Sequence, residues 1–294
     1  MTDAIQLSKL PPPDVVETLD VETLLANAKA RLKTLWPAYD AEVESDPLQK
    51  LLETLAYVVM VERQRKNDDA RACFIATAAK SDLDNLVAFL GVKRLTLTPA
   101  QPALGIDAVE EADDDLRERF TLAPAGFSVA GPDDAYRFHA RSASGDVLDV
   151  GVTSPAPCEV VVSVLSWRGD GTASSELLDT VARTLNADRV RPLTDYVRVQ
   201  SATIVPFTIE ATLWSFAGPD PDIAMAAAQA NADRYRSDCR RMGRDITLSG
   251  IYAALHVAGI QRVELTSPAA DIAIDDTQAP YCASVVLHYG GIHA

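Results

Sequence analysis

The dipeptide Asp46-Pro47 opens the segment that most constrains this chain. An Asp in that position caps a helix, because its carboxylate accepts from the orphan N–H groups of the first turn, and Pro fits that turn with φ already set. Behind it Leu48, Leu51, Leu52, Leu55, Ala56 and Val59 recur at helical spacing, and no breaker stands before Lys80. The spacing predicts one helix of about 30 residues, roughly 45–50 Å at 1.5 Å per residue. Globular helices are usually much shorter. Its first half is apolar on one face and is expected to pack in its own domain. Its second half, Glu62-Arg63-Gln64-Arg65-Lys66-Asn67-Asp68-Asp69, is polar all round. A helix of that kind projects from its core or bridges to another body. Arg63, Arg65, Lys66 and Asn67 are therefore the expected contact residues for other chains.

The segments on either side read differently. Residues 1–20 are polar and hold Pro11-Pro12-Pro13, which favours an extended arm without a core of its own. Such an arm is either loose or laid on a neighbouring subunit. Residues 21–98 read as a helical domain, with Leu24, Leu25, Ala28, Leu32 and Leu35 on a first helix, and Ser81-Asp82-Leu83-Asp84 opening a short one that Gly91 ends. Residues 99–130, with Pro99, Pro102 and the acids from Glu110 to Asp115, read as an irregular linker. Residues 131–205 and 206–294 read as two α+β domains. Their strands are expected near 147–152, 160–165, 196–205, 207–216, 260–265 and 284–289. Ser174, Asp220-Pro221 and Thr247 or Ser249 open helices between them. The fold class is thus α+β, a helical N-terminal domain with a long helix followed by mixed middle and C-terminal domains. The Ala-rich face Ala224, Ala227, Ala228 and Ala232 carries little bulk. It packs either on its own sheet or against a second chain, and Ala228 is the position that separates the two.

The formal net charge of −15 argues against a nucleic-acid partner, since phosphate contacts need clustered Lys and Arg. Met1 to Lys9 lacks the basic start and apolar core of a leader, and no run of about 18 apolar residues is present to span a membrane. The expected location of the product is a reducing cytoplasm, with Cys73, Cys158, Cys239 and Cys282 as ordinary thiols.

Catalytic patterns are approached and not met. Gly126-Phe127-Ser128-Val129-Ala130 falls one residue short of a nucleophile elbow, which needs a strand before the Ser and a helix directly behind it. Here Pro124 precedes it and Gly131-Pro132 follows. No two of His139, His256, His288 and His293 stand at helical i, i+4 spacing, so a zinc pair is not expected. The acids Glu110, Glu111 and Asp113 to Asp115 lack the central Gly of a calcium loop and read as a solvated loop. Glu42, Glu44 and Asp46 flank a helix start, where negative charge is favourable.

Several ordered segments carry a family resemblance. They are Asp46-Pro47-Leu48 with Leu55-Ala56-Tyr57 and the polar run to Asp68; Ala79-Lys80-Ser81-Asp82-Leu83 to Leu95; Ser128-Val129-Ala130-Gly131-Pro132-Asp133 to Ala140; Val150-Gly151-Val152-Thr153-Ser154-Pro155-Ala156-Pro157; and Gly169-Asp170-Gly171 with Val190-Arg191-Pro192-Leu193-Thr194-Asp195. Together, from about residue 10 to 290, they resemble the baseplate J proteins of contractile-tailed phages and related injection systems. The family often has Gly after the Ser-Pro-x-Pro element, where this chain has Cys158. The resemblance implies a wedge component of a tail baseplate that connects hub and spike, sheath and peripheral baseplate, and rearranges on contraction. It implies other baseplate proteins and other copies in a ring as partners, and it implies neither a substrate nor a cofactor. Assembly in the host cytoplasm and residence in the virion tail follow from the same resemblance. The alternatives are a tail-associated cell-wall hydrolase, which a zymogram would reveal, and an adaptor for one partner, which the native mass of the complex would reveal.

Overall fold

A computed structural model describes residues 10, 15–39, 43, 45–128, 130–218 and 220–292. The α+β reading holds, and the chain divides into two compact units. One comprises residues 1–94 with 112–121, the other 95–111 with 122–294.

The first unit begins with α1 (Val21–Leu35), capped by Asp20, whose carboxylate accepts from the N–H groups of Glu22 and Thr23. It packs on α2 (Pro47–Ala72). Asp46 caps α2 as expected, accepting from Leu48 N–H at 2.8 Å, with Pro47 in the first turn. The helix is 26 residues long and stops short of the predicted end. Its last turn gives way to tight turns at Cys73 and Phe74, and Thr77 Oγ1 donates to the Arg71 carbonyl at 2.7 Å. The next helix, α3 (Lys80–Val87), starts one residue before Ser81, and Ala79 occupies the cap without any side-chain bond, so the expected capping box is not formed.

The segment 99–130, read as an irregular linker, contains a helix. In α4 (Asp113–Leu122) the acids Asp113 to Asp115, read as a loop, are the first turn, where the helix dipole favours them. Leu116 is fully buried. Polar bonds hold the rest. Arg117 donates to the carbonyls of Ile75 and Ala78, and Arg119 to that of Lys93 at 2.5 Å. Arg94 pairs with Asp84 and Asp113, each at 2.7 Å.

The second unit holds three sheets. The smallest pairs β1 (Thr96–Thr98) with β2 (Val109–Glu110). The next has the order β3-β4-β5, from β3 (Val147–Ala156), β4 (Glu159–Ser166) and β5 (Tyr196–Ser201). β3 and β4 form an antiparallel hairpin, and α6 (Ser175–Leu185) provides the crossover to parallel β5. With α5 (Asp133–Arg141), α6 covers one face over Val150, Val152, Val162 and Val164. Every residue of β4 from Val161 to Ser166 is buried, Ser163 and Ser166 among them, so its apolar residues are not confined to alternate positions. At the hairpin turn Cys158 has φ +66°, the left-handed region that Gly tolerates.

The third sheet has the order β7-β6-β8, from β6 (Thr203–Ser215), β7 (Ile260–Ser267) and β8 (Gln278–Ile292). β7 pairs antiparallel with β6, and β8 parallel. Two helices, α7 (Pro221–Cys239) and α8 (Leu248–Leu255), contribute to the core against it. Asp220 and Thr247 cap them with their side chains. β8 is more than twice the length expected, since its flanks, with Pro280 and two glycines, carry no strand signal.

The two larger sheets share a small core of Leu148, Leu165, Ala202 and Ala279 with Ile204 and Met242. Polar bonds reinforce it. Asp149 accepts from Met242 N–H at 2.9 Å, and Arg240 donates to the carbonyls of Ser166 and Gly169. Gly151 is needed here, because a Cβ on it would sit 1.8 Å from the Asp276 carbonyl oxygen.

Two substitutions test this account. Gly151→Ala forces backbone apart at the shared core and should cost about 1–3 kcal/mol in urea unfolding, the usual toll of overpacking. Cys158→Gly should do the opposite. Relief of a left-handed non-glycine residue, roughly 1–2 kcal/mol, exceeds the entropy that Gly adds to the unfolded chain, so a net gain of about 0.5–1 kcal/mol is expected.

Candidate assembly surfaces

The polar half of α2 was expected to face other chains, and part of it is already engaged. Asn67 is only 5% exposed. Its side chain accepts from Glu17 N–H at 3.0 Å and donates to the Glu17 carbonyl at 2.9 Å, the pairing a strand neighbour would give. Arg63 pairs with the Glu17 carboxylate at 3.1 Å. Asn67 is therefore a residue that ties down the N-terminal segment of its own chain, and the expectation that it faces another chain is corrected. A run of charged and amide residues gives no periodic signal that one of them turns inward. Arg65 and Lys66 are exposed. Pro11, Pro12 and Pro13 lie outside the described residues.

The apolar half of α2 differs from expectation in the other direction. Leu52 and Ala56 are buried, and Leu48 and Leu52 meet Leu25, Ala28, Leu32 and Tyr39. Leu51, however, is 62% exposed, and Leu55, Tyr57, Val58 and Val61 are exposed as well. A single partner helix covers about one third of a helix circumference, so a second apolar stripe is left in solvent. Monomeric proteins rarely leave contiguous apolar surface open, and such patches mark interaction sites.

Ala228 is fully buried, as are Ala224 and Ala232 at successive i+4 steps, in the core formed with Ile209, Ala211 and Leu213 of β6. The small side chains let α7 lie close on its own sheet. Ala228 is thus an internal packing residue, which removes it from the interface candidates. Ala227, one step round the helix, is exposed.

The residues considered for chemistry are dispersed among structural roles. Ser128 follows a 3₁₀ turn, Ala125–Phe127, and its Oγ accepts from Ala130 N–H at 3.2 Å. A strand before the Ser, which an elbow requires, does not occur at this place. His139 lies on α5 with Nε2 3.1 Å from the Gly126 carbonyl oxygen, and burial lowers its pKa. His288 stands on β8, 3.8 Å from Glu210. His256 caps the end of α8, and His293 lies outside the described residues. Among the described residues no group of His, Cys, Asp and Glu is placed to hold a metal ion, and no helix is long and apolar enough to cross a membrane. Cys239 and Cys282 are buried, and burial pushes the Cys239 thiol up to about 12.

Two stretches far apart in sequence do meet. Tyr136 on α5 donates to Asp195 Oδ2 at 2.7 Å, and a Cβ on Gly131 would meet Pro192 at 2.7 Å. Burial and the Asp195 carboxylate both raise the Tyr136 pKa, which keeps the phenol a donor. The Gly131-Pro132 and Pro192 to Asp195 elements are therefore two sides of one packed corner.

Comparison with known proteins places these features. The Baseplate J-like N-terminal domain matches residues 44–101, the Baseplate J-like central domain residues 128–201, and the Baseplate J-like protein C-terminal domain residues 207–288. "Baseplate protein J" of Escherichia phage P2 is 48% identical over 296 residues, covering 98% of each chain. A chain in the cryo-EM structure of the anti-feeding prophage (AFP) baseplate, 6-fold symmetrised, overlaps 63% of this chain at 18% identity and a TM-score of 0.36, and this chain spans 43% of its length. With three domains matched in order and near-complete alignment to a relative of almost equal length, the chain belongs to the baseplate J family.

Proposed function

We propose that this chain is a structural wedge protein of a contractile-tail baseplate, joining hub, sheath-proximal and peripheral proteins and rearranging during contraction. The observation that carries the reading is the alignment over 98% of both chains with the P2 baseplate protein. Its partners on this reading are other baseplate proteins and further copies of itself in a ring, and its work is mechanical. It is made in the host cytoplasm and resides in the virion tail.

The surfaces fit that role. The open stripe of α2, Leu51, Leu55 and Val58, recurs at i, i+4 and i+7, the spacing by which one helix engages another. Arg65 and Lys66 extend the same helix with exposed cations in a chain of net charge −15. Acidic partners would be drawn there, and like copies would be oriented by it. A run such as Pro11-Pro12-Pro13 favours an extended form by composition, so docking on a neighbour would cost it little entropy.

Leu51→Glu combined with Leu55→Glu should leave circular dichroism and thermal melting of the purified chain unchanged, since both side chains are exposed. The same pair should abolish contractile particles when supplied in place of the wild type. Arg65→Glu with Lys66→Glu should reduce particle yield less, because exposed charges contribute under about 1 kcal/mol each. Normal particles from the leucine pair would sink the proposed contact. Clearing of host cell wall by the purified chain in a zymogram would favour a hydrolase instead.

The internal position supplies a control. Ala228→Glu buries a carboxylate without a partner and should unfold the second unit, at a cost of about 3–5 kcal/mol. Loss of particles there, with loss of the dichroism signal, separates failure to fold from failure to assemble.

A further inference from the structure

α2 carries its own chain along one face. At 3.6 residues per turn Gln49, Leu52, Ala56, Arg63 and Asn67 fall within about 60° of one another around the helix. α1 lies over the first part of that face through Leu25, Ala28 and Leu32, and among the described helices it packs substantially on α2 only. Ahead of α1 the chain runs on over the second part. There Asn67 holds both backbone groups of Glu17, and Arg63 holds its carboxylate. Residues 15–35 are thus one cover, a strap followed by a helix, laid along α2.

This cover is lightly held. No residue of α1 is fully buried. The Arg63–Glu17 pair is exposed on both sides, so water and salt screen it. Asn67 is the buried group with which α2 grips the strap. Two polar atoms work against closure. Tyr39 Oη and Gln49 Oε1 have no hydrogen-bond partner among the described residues, although Tyr39 is 8% and Gln49 6% exposed. Gln49 stands on the covered face, and Tyr39 packs with Leu52 and the residues of α1. Each gives up water without a replacement while the cover is closed. The remainder of the unit is anchored separately. Leu83 and Val87 of α3 and Leu116 of α4 are fully buried, and Arg117 and Arg119 tie α4 to main-chain carbonyls. A segment opens locally at a free energy set by the contacts it breaks, and here those are few.

We propose that residues 15–35 are a detachable cover of α2, with Asn67 as its catch, which opens and closes as a unit while α3 and α4 stay folded. Opening adds Leu48, Leu52 and Ala56 to the exposed stripe of Leu51, Leu55 and Val58, and leaves α2 with apolar side chains on both faces. Such a helix requires cover on both. The free chain supplies its own on one side and gives it up where other surfaces enclose α2. Two arrangements of one segment, close in free energy, are what a rearranging component needs. The device is read in the purified chain, so its failure leaves the stripe contact and the baseplate reading untouched.

Hydrogen exchange of the full chain, followed by peptide mass spectrometry, tests it. The hydrogen-bonded amides of residues 15–35 should exchange together, at least about tenfold faster than those of α3 and α4. Asn67→Ala removes both bonds of the catch and should speed that exchange about tenfold, with α3 and α4 unchanged. Tyr39→Phe removes an unpartnered buried hydroxyl and should slow it about three- to tenfold. A wild-type α1 that exchanges as slowly as α3 and α4 overturns the proposal, because it then opens only with the whole unit. So does an Asn67→Ala chain in which residues 15–20 alone exchange faster, since the strap is then a fraying end and no catch. If Asn67→Ala fails to fold, Tyr39→Phe decides, and unchanged or faster exchange of residues 15–35 in that variant overturns the proposal.

Discussion

A single residue, Ala202, separates β5 from β6, and the arrangement of the second unit depends on it. β5 ends one sheet and β6 begins the next as its central strand, so the chain passes between sheets with no length to spare. Ala202 is buried, and its N–H donates to the Val164 carbonyl at 2.8 Å. Its neighbours in the shared core are therefore set by geometry, and each contact between the sheets has to accommodate a fixed approach. Gly151 does so by lacking a Cβ where Asp276 comes close, and Asp149 by accepting from the Met242 N–H in the turn after α7. Motion of one sheet on the other would break these contacts together.

The first unit is held differently. Its hairpin buries little: no residue of α1 is fully buried, and the core there is Leu52 with Tyr39 and their partly buried neighbours. Polar bonds compensate around α4. Arg117, Arg119 and Arg94 are directed at main-chain carbonyls and carboxylates that close the turns after α2 and α3. Buried Arg is costly unless its donors are all used, and the fork of a guanidinium can satisfy several carbonyls at once. Such a scaffold fixes loops without demanding a large apolar core, and leaves apolar surface of α2 for other uses.

These two modes of construction explain what could be read in the sequence. Asp46, Ser174, Asp220 and Thr247 were legible as caps because capping is local: the donor and acceptor lie within three residues. The apolar richness of β4, broken only at Ser163, and the alternation of β6 were legible because burial shapes the local pattern. α4 was not legible, since the single buried Leu116 sets no period and Arg117 and Arg119 reach residues dozens of positions away, which nothing in a polar decapeptide reports. The same holds for Asn67, whose partner is Glu17. The apolar residues of α2 were assigned to one buried face by their spacing, but spacing cannot state how many partner helices are present to cover them. The positive φ at Cys158 was foreshadowed by family resemblance alone, where Gly is usual. No local rule would place a cysteine there.

The charge distribution is compatible with an assembly role. A chain with net charge −15 gains solubility from that charge and, for the same reason, resists association with its own kind. Specific contacts then require surface from which charge has been withheld. The stripe of Leu51, Leu55 and Val58 is such a place. It is flanked by polar residues that prevent its indiscriminate extension, Glu53 and Thr54. A component that must stay dispersed after synthesis and then join others in fixed geometry needs both properties together.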